Sequence, residues 1–312
     1  MRLDDQRESD NVDDQRGQGG GLGFGGGGGF GGGGGILGFL LPMVMSRFGC
    51  GGVAVLVVLF LVFGGGLSSL GGLVGGGGVG APQIGQPAQE TAPATGATGA
   101  ARSESSTDRF VRQVLGSTED VWGKVFPEQA GKPYVRPRLV LFSGQTRSGC
   151  GAAESAMGPF YCPADHKVYL DESFFDELQT RFGAKGDAAA AYVVAHEIGH
   201  HLQSLLGISD QVQTAQERAS ESQRNALSVK LELQADCFAG VWAKNSGRLE
   251  DGDIEEAVTA AQAIGDDTLQ RQARGTVVPD SFTHGSSAQR VQWLKTGLAS
   301  GRLDSCDTFG GR

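Results

Sequence analysis

Proline is sparse in this chain, 10 residues in 312, and its 53 glycines follow no three-residue period. A collagen-type triple helix is thereby excluded. Dense runs of lysine and arginine are also missing. The net charge is −9, and after Ala101 there are 22 basic against 28 acidic residues, a balance of −6. No nucleic-acid partner is expected from that distribution. From Phe48 to Leu70 there is no charged residue, and between Arg47 and Arg102 there is no basic one. Cysteine is limited to five positions: Cys50, Cys150, Cys162, Cys237 and Cys306.

Glycine is what the chain has in excess, and it is concentrated: 29 fall in the 64 residues from 17 to 80. Such a segment brings few side chains to bury and loses much backbone freedom on ordering, so it cannot build a dense core. The part from Arg102 onward, about 210 residues, is long enough for one well-buried domain. Residues 1–16 are polar and charged, and a low-complexity glycine tract follows. Then come ILGFLLPMVM (36–45) and VAVLVVLFLVF (53–63). The uncharged flanks extend the second run to the roughly 20 residues a bilayer span requires. A buried core helix is the alternative, but the glycine flanks offer nothing to bury it against. A cleaved leader would need an n-region about 50 residues long and acidic, unlike ordinary leaders. Arg2, Arg7, Arg16 and Arg47 precede the span and no basic residue follows before Arg102. That bias places the N-terminus in the cytoplasm and the C-terminal domain outside the membrane, periplasmic or extracellular. The expected division is a polar and Gly-rich tail over 1–47, one transmembrane anchor over 48–72, a Pro/Ala/Thr/Gly linker over 73–106 and a folded domain over 107–312. Whether the anchor crosses once or pairs with 36–45 as a hairpin stays open.

Within the domain, apolar residues at 110, 111, 114, 115, 121, 122, 125 and 126 fit one or two amphipathic helices. RLVLF (138–142) and KVYLD (167–171) read as short strands. AAAAYVVAHEIGHHLQSLLG reads as a helix stopped by Gly207, a long helical pattern covers 211–245, and a last helix runs over 287–298. The fold class expected is α+β, largely helical with a small sheet.

His196-Glu197-Ile198-Gly199-His200 is an HExxH pattern. On a helix, positions four apart share a face, so both imidazoles can reach one ion, while Glu197 can address a water on it. Two solvated surface histidines are the bland reading, disfavoured by the apolar neighbours Tyr192, Val193, Val194 and Ile198. A catalytic zinc site needs a third protein ligand and one open position. Glu232 in LELQAD is the candidate ligand. Asp236, four residues on, is the candidate acceptor for the second N–H of a ligating histidine. An exposed acidic face is the alternative for this pair, but Leu231, Leu233, Ala235, Cys237 and Phe238 around it are apolar.

HEIGHH followed by ELQAD resembles the gluzincin arrangement, in which ExxxD supplies the third ligand. The chain as a whole resembles the neutral zinc metallopeptidase family of bacteria, through NVDDQRG, the Gly-rich apolar stretch, FYCPADHKVYLD, AHEIGHHLQ, LELQADCFAGVWA and THGSSAQRVQWLKTG. The resemblance implies a zincin-like domain holding one Zn²⁺. It implies His196, His200 and Glu232 as ligands, Glu197 as catalytic base and Asp236 as the residue orienting His196.

His284, in SFTHGSSAQR, resembles a TH element near the active site of membrane-anchored gluzincins, where an imidazole could stabilise an oxyanion. A loop histidine near the following helix is the equal alternative, with Ser286 or Ser287 as the cap. His201 points about 100° from His200 and is assigned to the site's support or to the surface. His166 reads as a loop residue. In zincins an edge strand before the HExxH helix binds the substrate backbone, and Lys167–Leu170 is compatible with that role. Four domain cysteines allow three pairings. Cys150–Cys162 and Cys237–Cys306 is the one adopted, with free buried thiols as the alternative. The expected function is membrane-anchored, zinc-dependent endopeptidase hydrolysis of peptide or protein substrates, with an inactive zinc-stabilised peptide-binding or scaffold protein as the alternative. A metal hydrolase acting on a non-peptide substrate is a third reading.

Overall fold

The computed structural model describes residues 1–17 and 105–310. They lie in one compact unit. The expected anchor over 48–72 and the linker up to residue 104 lie outside the described residues. Among those described, no helix is long and apolar enough to cross a membrane.

A four-stranded sheet has the order β1 (Val12–Asp14), β2 (Arg138–Phe142), β6 (Lys167–Asp171), β5 (Phe160–Cys162). β2 pairs in parallel with β1 and β6, whereas β5 runs antiparallel to β6. A separate hairpin joins β3 (Gln145–Ser148) to β4 (Gly151–Glu154). The Val- and Leu-rich runs of β2 and β6 are buried almost throughout, as strands with neighbours on both edges must be. The expected edge strand, Lys167–Leu170, is therefore interior. The sheet edge nearest the HExxH helix is β5, because the Pro163–His166 turn folds that segment back along β6.

The helices are α1 (Ser106–Ala130), α2 (Ser173–Thr180), α3 (Asp187–Leu206), α4 (Ile208–Glu217), α5 (Glu221–Ser246), α6 (Asp253–Ala263), α7 (Asp266–Arg274) and α8 (Ser287–Ser300). α1 is one continuous helix, opened by the Ser105 side chain on Asp108 N and closed by Gly131 in the left-handed region. The long pattern over 211–245 divides into α4 and α5. A capping box made by Ser220 and Gln223 starts the second helix there. Ser286, with Gln289, caps α8 in the same way.

Two glycine contacts set how closely the central helices approach. A Cβ on Gly199 of α3 would stand 2.9 Å from Ala235 Cα of α5. Gly240 of α5 and Gly297 of α8 lie against the partner helix backbone so closely that a Cβ on either would collide with it. The structure pairs Cys150 with Cys162 and Cys237 with Cys306, at Cα separations of 5.8 and 5.6 Å. The second bridge ties α5 to the C-terminal turn.

Residues 1–17 belong to this unit rather than to the tail expected over 1–47. β1 extends the sheet, with Leu139 N donating to Asn11 O and Gln15 N to Leu141 O. Leu3 joins the main core. Glu119 of α1 is 2% exposed, and it accepts hydrogen bonds from Arg7 (2.8 Å), Ser9 (2.7 Å) and Asn11 (2.6 Å). A buried carboxylate stripped of its donors costs far more than an ordinary hydrogen bond contributes. Ser9→Ala combined with Asn11→Ala should therefore destabilise the protein by about 2–4 kcal/mol, read as a lowered midpoint in denaturant.

Candidate metal centre

α3 is buried along most of its length, and α5, α6 and α1 pack against it. His196 and His200 project from one face, with perpendicular rings 4.8 Å apart between centroids. Glu232 of α5 faces both. Its Oε2 lies 3.2 Å from His196 Nε2 and its Oε1 3.4 Å from His200 Nε2. Donors bonded to a tetrahedral zinc at about 2.0–2.2 Å stand roughly 3.3–3.5 Å apart. The three side chains thus form a group able to hold one metal ion. Their donor types, two imidazoles and a carboxylate, suit zinc.

The far sides of both rings are fixed. His196 Nδ1 donates to Asp236 Oδ1 at 2.8 Å, and His200 Nδ1 donates to Gln203 Oε1 at 2.9 Å. With Nδ1 engaged on the far side, each ring turns its Nε2 toward Glu232. Asp236 is fully buried and has further partners. Arg290 of α8 grips it with Nε and Nη2, each at 2.9 Å, and Tyr192 donates its hydroxyl to Oδ1 at 2.5 Å. Gln203 donates in turn to Leu231 O at 2.7 Å, so it ties the HExxH helix to the residue before Glu232.

Burial opposes protonation of both imidazoles, but the neighbouring carboxylates outweigh it. His196, beside Asp236 and Glu232, is held up at about 10, and His200 is raised mainly by Glu232. Burial alone would raise the two acids. Instead the imidazoles hold Glu232 well below the usual carboxylate range, and Arg290 followed by His196 lowers Asp236.

Glu197 lines the same cleft and is 7% exposed. Among the described residues its carboxylate takes no hydrogen bond, unlike the acids beside it. The cleft encloses about 760 Å³. Met157, Phe160, Phe174, Phe182 and Val193 contribute apolar wall, and Asp210, Gln213 and Gln216 of α4 add polar groups. His284 stands at the rim with its side chain half exposed. Its Nδ1 lies 3.2 Å from Asp266 Oδ1, and the backbone N–H groups of 283, 284 and 285 all donate to Asp266 Oδ2. The bond to Asp266, helped by the carboxylates nearby, raises the His284 pKa. His201 is a core residue. Its Nε2 contacts Val135 O at 2.7 Å and its Nδ1 the Tyr161 hydroxyl at 3.2 Å, and burial lowers its pKa to about 4. His166 sits in the turn before β6 at φ 57°, with Nδ1 2.9 Å from the same hydroxyl. A second acidic group, Asp187, Asp253 and Glu256, contains no histidine, and Glu256 accepts from Ala188 N at the start of α3.

Four residues of this centre were not assigned roles from the sequence. Gln203 had a usable signal, since it lies three residues after His200 on the same helix face. Tyr192 did too, four before His196. Arg290 and Asp266 had none, because they reach the centre only through the packing of α8 on α5 and the fold of the loop before α8.

The fold and donor set define a largely helical protein with a four-stranded sheet, a separate hairpin and an HExxH-centred group, joined by a carboxylate from a second helix, that could hold a metal ion. A family model described as "Putative neutral zinc metallopeptidase" matches residues 1–309, and the chain belongs to that family. It is 47% identical over 315 residues to the protein YpfJ of Escherichia coli K12, covering 99% of each chain. It is 42% identical over 226 residues to Rv2575 of Mycobacterium tuberculosis H37Rv, covering 67% of this chain and 74% of the relative. No solved structure matches.

Two outcomes test the centre. Arg290→Lys keeps the charge but loses the two-pronged grip on Asp236. It should weaken zinc binding about 10–100-fold while the fold is retained, as read by competition with a chromogenic chelator. The second concerns pH. In the metal-free protein His196 has a pKa of about 10 against 6.5 for the free side chain. Its proton therefore contributes stability that is full below about pH 6.5 and is lost as pH rises toward 10. A metal needs the same nitrogens unprotonated. Zinc uptake at neutral pH should release protons and tighten as pH rises, which calorimetric titration in buffers of different ionisation enthalpy checks.

Proposed function

We propose that the chain is a zinc-dependent endopeptidase. The observation that carries this reading is the juxtaposition of two fixed Nε2 atoms and the Glu232 carboxylate at zinc-donor spacing, beside the unengaged carboxylate of Glu197. In this reading His196, His200 and Glu232 hold one Zn²⁺ in a zincin-type arrangement. Bound there, zinc supplies Lewis acidity, acidifying a water and polarising the scissile carbonyl. Glu197 accepts the proton of the attacking water and delivers it to the leaving amine. Asp236 and Gln203 hold the two rings in the productive tautomer, and Arg290 and Tyr192 hold Asp236. His284, whose pKa the bond to Asp266 raises, donates to the oxygen that develops negative charge.

The substrate backbone pairs with the free edge of β5, at Phe160–Cys162, and an extended peptide added there runs along the cleft. The apolar wall of Phe160, Phe174, Phe182 and Val193 suits a bulky apolar side chain next to the scissile bond. The catalytic domain works outside the cytoplasm, a placement supported by its two cystine bridges, which an oxidising compartment maintains. The apolar stretch over 48–72 attaches it to the membrane.

Glu197→Gln should retain zinc at full stoichiometry and lose peptidase turnover by about 10²–10⁴-fold. Metal analysis paired with cleavage of a peptide library, with and without chelator, reads both. Undiminished cleavage by the Gln variant would overturn the assignment.

A further inference from the structure

The N-terminal residues and the catalytic domain are one folded object. β1 hydrogen-bonds along β2 with Val12 opposite Leu139 and Asp14 opposite Leu141, and it covers what would otherwise be an open sheet edge. The three short donations to Glu119 come from residues 7, 9 and 11. Ser9 N donates to Arg112 O, and Gln113 donates to Leu3 O. Gly116 of α1 admits the Arg7 carbonyl so closely that any side chain there would displace it. At the other end of the segment, Arg16 pairs with Asp108 at 3.1 Å and with Glu172 at 2.5 Å.

Strands cannot pair, and a buried carboxylate cannot be satisfied, across a bilayer. We infer that residues 1–17 and the catalytic domain lie on the same side of the membrane, so that the chain between residues 17 and 105 crosses it an even number of times or not at all. This replaces the single crossing with a cytoplasmic N-terminus drawn from the arginine bias. That bias counted Arg7 and Arg16 as topological anchors. Both spend their charge on acids of the folded unit: Arg7 on Glu119 and Asp120, and Arg16 on Asp14, Asp108 and Glu172. The inference does not depend on the peptidase reading, since it rests on packing remote from the metal centre.

Cysteine accessibility in the full-length chain tests it. In a Cys50→Ser background, Asp10→Cys and Asp4→Cys report on the N-terminal segment and Lys124→Cys on α1, all at exposed positions. Spheroplasts of the expressing host are treated with a membrane-impermeant maleimide before and after lysis. All three reporters should label together. Labelling of all three in intact spheroplasts supports both the inference and the extracytoplasmic domain. Labelling of all three only after lysis supports the inference and removes the extracytoplasmic placement. Either N-terminal reporter labelling on the opposite side from Lys124→Cys overturns it. The second N-terminal position guards against a local effect of one substitution.

Discussion

The distance between α3 and α5 at Gly199 governs the rest of the centre. The HExxH helix supplies two imidazoles by its own periodicity, but the carboxylate that completes a group able to hold a metal ion comes from another helix and must arrive within about 3.5 Å of both. Ordinary helix pairs stand 8–10 Å apart between axes, with side chains between them. Here the glycine leaves room for the Ala235 backbone to lie directly on α3. Glu232, three residues before that contact, and Asp236, the residue after it, are brought to the two ring nitrogens of His196. The hydrogen at residue 199 is thus part of the geometry that brings Glu232 to the two imidazoles, although it touches none of them.

The second constraint is electrostatic. Arg290, Asp236 and Tyr192 are buried together with His196, and such groups do not enter a core for stability. A hydrophobic set of the same volume would pack at least as well. What the charged set supplies is orientation. The planar guanidinium fixes the carboxylate, the carboxylate fixes the ring, and the ring turns its Nε2 toward Glu232. The cost is borne by the surrounding close packing. Gly240 and Gly297 let α8 lie against α5, which is how Arg290, on the first turns of α8, reaches the ligand helix. The Cys237–Cys306 bridge anchors the same helix one residue after Asp236.

What could be read in the sequence follows from how far each feature depends on local chain geometry. HExxH and the four-residue offset of Glu232 and Asp236 are helical spacings, and the helices that carry them are long and strongly patterned. β2 and β6 were visible as short apolar runs. Their position in the sheet was not, because strand order is decided by which segments fold back, and the Pro163–His166 turn that makes β5 the edge is a tertiary outcome. The break between α4 and α5 hides in the apolar pattern and is marked only by a capping box at Ser220. Arg290 and Asp266 could not be assigned from spacing at all.

The N-terminal segment carries this argument furthest. Residues 1–16 are polar, short and followed by a glycine tract, and by composition they read as tail. Nothing in their periodicity announces burial, because what they bring to the domain is polar. Ser9, Asn11 and Arg7 serve as donors to a carboxylate on α1 that sits more than a hundred residues away. A buried acid among apolar neighbours demands a partner, and Glu119 in STEDVWGKVF posed that demand in the sequence without naming who would meet it. The converse reasoning was available in principle: an acid on the inward face of an amphipathic helix, with no nearby base to pair with, requires donors from elsewhere in the chain. Here those donors are the first residues of the protein, and that debt between the two ends of a long glycine-rich excursion fixes them in one compartment.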